Sequence, residues 1–399
     1  MMRRFLVVLA VLTVASCSSS GGDTVPDTPS TTTPSSAVVT LDSAATTAVI
    51  GELDGDDPVG TVADPGAIDP ASTDGATVST TTRPPFVITG PATVESTVGR
   101  EPVQETSTSQ LSQPCAEVPR GLDTFELDAG GAVRDVRIVV PNSLSVEPAP
   151  VVLNWHGLGA DGASQAVYSG YEALAEEAGF VVVHATGVAG GNSPGTSWEF
   201  DGFDDPDRDD IAFVDALIDS VVADWCGDPA RVYSTGMSNG GFFTASLVCH
   251  LADRIAAAVA VGGLAHPDGC TPTRPVPFLA FHGTDDDIVP FDGNGRSPLV
   301  GIVSDEFFSN DIAAEFAQFA ATNGCAVEPS RVEETAEAIR YDYLDCADGV
   351  PMTFYELPGS GHTWPNSPTA DGLPGGDFHT SDVDATVDGW EFLRQHFLD

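Results

Sequence analysis

The sequence predicts an α/β domain over residues 112–399, with a mostly parallel central sheet flanked by helices. Three observations predict it. Short apolar runs such as "APVVLNWHG" and "IAAAVAVGG" lack alternation, the mark of strands buried on both faces. Amphipathic stretches of helical length separate these runs, so strands and helices alternate. A helical stretch also ends in glycine, at Gly179, as a left-handed C-cap requires.

Taken in order, "FELDAGGAVRDVRIVVP" reads as an antiparallel hairpin turning at its glycines. "APVVLNWHG" is the first buried strand, and "GASQAVYSGYEALAEEAG" is read as one helix ending in Gly179. "FVVVHA" (strand), "DIAFVDALIDSVVADW" (helix), "ARVYSTG" (strand) and "NGGFFTASLVCHLAD" (helix) follow. "IAAAVAVGG", "VPFLAFHG" and "MTFYELPG" supply three further strands; "DEFFSNDIAAEFAQFAATNG" and "DATVDGWEFLRQHFLD" supply the later helices. No internal repeat interrupts the series, so one α/β domain accounts for it.

Ahead of this domain the composition changes. Residues 1–17, "MMRRFLVVLAVLTVASC", carry two arginines, an apolar run and small residues, the pattern of a secretory signal too short to span a membrane. Val14-Ala15-Ser16-Cys17 resembles a bacterial lipobox, which implies lipidation at Cys17 and an anchor on the outer face of the membrane. Simple secretion with cleavage nearby is the alternative. Residues 18–111 are rich in Ser, Thr, Pro, Gly, Ala, Val and Asp, with Phe86 the one aromatic. They bury too little apolar surface to offset ordering and read as a disordered tether. Its end-to-end distance is roughly 50–60 Å, enough to lift a domain off a membrane.

The chain has no lysine. Residues 18–111 hold 13 acidic residues and two arginines, a net of −11, and residues 112–399 hold 46 and 11, a net of −35; the two arginines of the signal bring the total to −44. Such a surface repels nucleic acid and other polyanions. The expectation is a solvated, acidic, monomeric exported protein, touching membrane only through its anchor.

Six cysteines remain in the domain: Cys115, Cys226, Cys249, Cys270, Cys325 and Cys346. An even count in an exported domain implies three disulfides with 15 possible pairings. The favoured set is Cys325–Cys346, Cys249–Cys270 and Cys115–Cys226. Without a C-x-x-C pair, zinc is disfavoured.

The chemistry centres on "YSTGMSNGGFF", residues 233–243. In a glycine-rich chain a G-x-S-x-G match arises by chance roughly a few tenths of a time, so the motif alone decides little. Its context decides more: "RVYSTG" precedes Ser238 as a strand and "NGGFFTASLVCHLA" follows as a helix. A nucleophile elbow needs that junction, with glycines where side chains would clash and a helix N-terminus favouring developing negative charge. A capping serine is the bland alternative. A serine hydroxyl also needs a base and an acid to orient it, in the order Ser, Asp or Glu, His. "FLAFHGTDDDIVPF" offers three adjacent aspartates after a buried strand, and "LPGSGHTWPN" offers His362 after the last one. His250 reads as helix surface, and His379 and His396 lie beyond the site's usual position. The oxyanion would be held by the backbone N–H of Asn239 and by that of Leu158 in "NWHGLGADG", a turn shaped by His156 and Gly157. His156 is also a substrate-binding candidate.

Together "GMSNGG", "NWHGLGADG", "FHGTDDDIVPF" and "GSGHTWP" resemble the poly(3-hydroxybutyrate) depolymerase and feruloyl esterase group of α/β-hydrolases, related to carbohydrate esterase family one. The resemblance covers about residues 115–399 and is specific as a set. It implies the α/β-hydrolase fold and a triad of Ser238, Asp286 and His362, with Asp285 and Asp287 in flanking positions. It implies that Trp198, in "GTSWEF", lines the substrate cleft; a packed aromatic is the alternative. Paired cysteines near the final strands fit Cys325 and Cys346. Many extracellular polyester depolymerases carry a substrate-binding domain, whereas this chain has a tether in its place.

The expectation is therefore an exported serine esterase acting on feruloyl, acetyl or short-chain esters without metal or organic cofactor. A polyester depolymerase is the alternative within enzymes, and a non-catalytic surface binder the alternative outside them. A peptidase would share the triad but has no motif of its own here. The acid cluster "DGFDDPDRDD" invites calcium, but its spacing does not fit an EF-hand and it leads into a helix whose dipole acids stabilise.

Overall fold

The computed structural model describes residues 112, 114–190, 195–201, 203, 207–293, 297, 311–369 and 382–399. All of them fall in one unit, Thr97–Asp399. The signal segment, Cys17, the tether and His379 lie outside the described residues.

The hairpin comes first: β1 (Gly121–Ala129) and β2 (Ala132–Val140) pair antiparallel across Gly130 and Gly131, both at positive φ. β3 (Ala149–Trp155), β4 (Val181–Ala185), β7 (Gly227–Met237), β8 (Ala257–Val261), β9 (Phe278–Gly283) and β12 (Met352–Leu357) form the parallel centre. Every residue of β4, β8 and β9 is buried, which is why their sequences read as unbroken apolar runs. The ten-stranded sheet runs β1-β2-β4-β3-β7-β8-β9-β12-β11-β10, where β10 (Arg331–Glu334) and β11 (Ile339–Tyr343) close one edge antiparallel. β5 (Val188–Ala189) and β6 (Thr196–Ser197) make a separate two-stranded ribbon.

Helices supply two apolar layers. α3 (Asp210–Asp224), α4 (Asn239–His250) and α5 (Ile312–Thr322) contribute Phe213, Phe243 and Phe316 to one core cluster. α2 (Tyr171–Ala178) and α6 (Ala385–Leu393) contribute Tyr171 and Trp390 to the other, where Trp390 stacks on Phe180 at 4.1 Å. This mostly parallel sheet with helices on both faces is the α/β-hydrolase fold.

Several details differ from the sequence expectation, among them the β5–β6 ribbon, which it does not contain. The helix expected over 162–179 is two, α1 (Gly162–Ser169) and α2, broken at Gly170 with φ 72°. Gly170 N–H closes α1 on the Ala166 carbonyl while the Ser169 hydroxyl accepts a hydrogen bond from Asn154 Nδ2 at 2.7 Å, so the turn is fixed from the sheet side. The sequence pattern predicts neither β10 nor β11. "RVEE" is exposed at all four positions and has no apolar alternation to mark it as a strand.

The disulfides are Cys115–Cys226, Cys249–Cys270 and Cys325–Cys346. The first ties the segment before β1 to the start of β7, closing the longest loop and so restricting the unfolded chain most.

His184, on β4, is fully buried among apolar strand neighbours. Burial lowers its pKa from 6.5 to about 4, against a smaller opposing pull from Glu172. Between those values the unfolded chain binds a proton that the folded chain refuses, so stability is lost as pH falls from 6.5 towards 4. We expect His184→Leu to flatten this acid limb by on the order of 3 kcal/mol. Urea unfolding at pH 7 and pH 4 checks it; parallel losses in the two proteins would refute it.

Candidate active site

Ser238 sits between β7 and α4 with φ 56° and ψ −117°, one of few non-glycine residues at positive φ among those described. A side chain held there is strained unless its surroundings over-determine it, and the surroundings do. Ser238 N–H donates to the Val261 carbonyl at 2.8 Å, and the Ser238 carbonyl accepts from Gly241 and Phe242. The glycines of the motif are needed for close approach: a Cβ on Gly240 would strike the Trp155 carbonyl, and one on Gly241 would sit 2.6 Å from the Gly263 carbonyl. Ser238 is half-buried, at the parallel strands' carboxyl edge.

Asp286 follows β9, and of the three consecutive aspartates it alone is buried; Asp285 and Asp287 are exposed. Its Oδ1 accepts from the Ile288 and Val289 amides at 2.9 and 2.8 Å, and its Oδ2 lies 2.7 Å from His362 Nδ1. Burial opposes its charge, but the hydrogen bond and charge of His362 outweigh this, so its pKa lies below the ordinary carboxylate value. His362, after β12, keeps 12% side-chain exposure, whereas its partner Asp286 keeps none. The two loops are joined by the main-chain hydrogen bond from Asp285 to Ser360 (2.9 Å), and the Trp364 amide beyond His362 donates to the Tyr168 hydroxyl at 2.9 Å.

Ser238 and His362 both border the turn after β8. A Cβ on Gly262 would lie 3.6 Å from His362 Cε1, and one on Gly263 would strike the Ser238 carbonyl. No hydrogen bond joins Ser238 to His362 in this structure, a contact that in free hydrolases often tightens only with substrate. The loop after β3 passes on the other side, where a Cβ on Gly157 would lie 3.4 Å from Ser238 Cβ. The amides of Leu158 and Asn239 donate to no acceptor among the described residues. The geometry thus groups a half-buried hydroxyl, an imidazole paired with a buried carboxylate and two uncommitted amides.

Two sequence expectations are corrected here. Trp198 does not line the cleft: its side chain is fully buried, with ring centroids 5.1 Å from Trp155 and 5.2 Å from Phe243. The large apolar ring gains more from this aromatic layer than from solvent contact. His156 is likewise fully buried, its Nε2 accepting from the Gly187 amide at 2.9 Å and its Nδ1 2.8 Å from the Gly157 carbonyl. Burial lowers its pKa, and a neutral ring with Nδ1–H donating satisfies both contacts. It shapes the turn that carries Leu158.

His282 was missed. It is the penultimate residue of β9, buried, with Nε2 2.8 Å from the Val289 carbonyl and 3.4 Å from Asp286 Oδ2. Burial lowers its pKa, so a neutral ring donates to the loop that presents Asp286. Only its place in "FHGTDDD" could have pointed to it. In the acid cluster 201–210, residues 202 and 204–206 lie outside the described residues. Of the rest, Asp209 caps α3 through the Ala212 amide, Asp210 is ion-paired with Arg134, and Asp201 accepts from Ser246 at 2.8 Å. Among the described residues no three potential metal ligands converge.

The model of the prolyl oligopeptidase family matches residues 167–274, which include Ser238 but neither Asp286 nor His362. Among curated proteins, the chain is 31% identical over 251 residues to feruloyl esterase B of Piromyces equi, covering 61% of this chain and 44% of that one. It is 29% identical over 233 residues to a bifunctional acetylxylan esterase/xylanase of Neocallimastix patriciarum, covering 58% and 31%. With feruloyl esterase C of Emericella nidulans it shares 30% over 198 residues, covering 48% and 60%. The chain thus spans between about a third and three fifths of these relatives.

Proposed function

We propose that this chain is a serine esterase that hydrolyses carboxylic esters through Ser238, His362 and Asp286. The observation that carries the reading is the buried Asp286 carboxylate 2.7 Å from His362 Nδ1, beside a serine held at φ 56° on a strand-to-helix elbow. Asp286 fixes His362 with its proton on Nδ1, leaving Nε2 free to accept one. Nε2 takes the Ser238 hydroxyl proton as Oγ attacks the ester carbonyl. The carbonyl oxygen, now negative, accepts from the Asn239 and Leu158 amides, aided by the α4 N-terminus. The ester C–O bond breaks and the alcohol leaves with the proton from His362. A water deprotonated by the same nitrogen then attacks the acyl-enzyme, releasing the acid and restoring Ser238.

The relatives' names favour feruloyl or acetyl esters as substrates. An export signal ending at Cys17, a lipid anchor there and the tether over 18–111 belong to the same proposal. The three disulfides support an oxidising compartment. A polyester depolymerase remains the alternative within ester hydrolysis. The family model over 167–274 favours a peptidase as a second reading.

A fluorophosphonate probe, followed by kcat/KM on methyl ferulate, p-nitrophenyl butyrate and a peptidyl p-nitroanilide, tests these together. We expect one label, on the Ser238 peptide, and turnover of the esters but not the anilide. Preference for ferulate places the substrate among aromatic esters, and butyrate alone directs the search to hydroxybutyrate oligomers. An unlabelled, inactive protein would sink the enzymatic reading and leave a surface binder.

A further inference from the structure

We propose that the side chain of Asn239 is a positioning group, which holds its own backbone amide on the oxyanion by pairing with both backbone groups of Trp198. This rests on the esterase reading above. The residue after the serine in G-x-S-x-G is there for its N–H, and nothing in that role asks for a carboxamide. Yet the Asn239 side chain is buried and doubly bonded: Oδ1 accepts from the Trp198 amide at 2.7 Å and Nδ2 donates to the Trp198 carbonyl at 3.0 Å. The carboxamide thereby completes a ladder-like pair with the residue that follows β6, using one donor and one acceptor against one of each.

The partner is itself immobilised. The Trp198 ring is packed among Trp155, Phe213 and Phe243. On its N-terminal side Arg208 donates to the Ser197 carbonyl and hydroxyl at 3.1 and 3.0 Å. On its C-terminal side the Glu199 amide donates to Asp210 Oδ2 at 2.8 Å, and Asp210 is ion-paired with the buried Arg134. The elbow is strained at Ser238, so the residue after it needs an external support if its N–H is to keep a fixed direction. Asn239 reaches that support, and alanine would not. Aspartate would set a carboxylate oxygen against the Trp198 carbonyl.

The test uses Asn239→Ala and the isosteric Asn239→Asp in the whole chain, with melting temperature recorded for each. Both should lower kcat on the best ester by about tenfold or more while KM moves by less than about threefold, since a donor to the transition state has been loosened. Affinity for an alkylboronic acid, which forms a tetrahedral adduct on serine, should weaken by the same factor as kcat/KM. A folded variant with unchanged kcat, or one losing kcat while boronate affinity is unchanged, overturns the assignment. Amide hydrogen exchange on the wild type gives a reading independent of whether the variants fold. The Trp198 amide should be protected, and exchange as fast as in the exposed loops would overturn the clamp. A wild type without ester hydrolysis would remove the esterase reading and this one with it; an active wild type with indifferent variants removes this one alone.

Discussion

Ser238→Ala should lower kcat by about 10⁴–10⁶-fold on any ester the wild type turns over, with no loss of cooperative unfolding. The hydroxyl makes no hydrogen bond to a described residue, so its removal leaves no buried partner unsatisfied. The backbone bonds that hold the elbow, from Ser238 N–H to Val261 and from Gly241 and Phe242 to the Ser238 carbonyl, do not involve the side chain. Alanine at φ 56° carries the same Cβ strain as serine, so the melting temperature should stay within a few degrees. Residual hydrolysis from the two amides and binding alone is expected to exceed that in water. A variant retaining even a tenth of wild-type turnover would show that the nucleophile lies elsewhere.

Asp286→Asn should cost about 10³–10⁴-fold in kcat while leaving the loop folded. Asparagine can keep its carbonyl oxygen on the Ile288 and Val289 amides, where Asp286 Oδ1 accepts now. Its amide nitrogen would then face His362 Nδ1 and donate to it. The imidazole proton would move to Nε2, the nitrogen that must accept from Ser238, so the base is lost through its tautomer and not through displacement. Kinetics with KM near wild type would agree with this. If Asp286→Asn keeps full activity while Asp285→Asn or Asp287→Asn loses it, the acid has been misassigned. The last outcome would conflict with geometry, since both neighbours are exposed.

The elbow was legible because its requirements are local: glycines around a serine at a strand-to-helix junction occupy consecutive positions. The parallel core was legible for a related reason, since burial on both faces writes an unbroken apolar run. The break at Gly170 was harder, because glycine inside a helical pattern is tolerated as often as it ends one. β10 left no trace, because an exposed edge strand is set by the partner it pairs with and not by its own four residues.

The sequence by itself determined the alternation of central strands and helices, the serine's place on the elbow, and an acid and a histidine in segments after later strands. Only the tertiary structure decided which groups face the cleft. Burial belongs to the packing of distant segments, so Trp198 and His156 look like cleft residues by motif and lie behind it in space. The same packing singles out Asp286 from two identical neighbours through two amides, His282 and His362, and brings Asn239 against Trp198 across 41 positions. A side chain's type states what it can bond; which partner arrives within 3 Å is fixed only when the sheet has brought its loops to one edge.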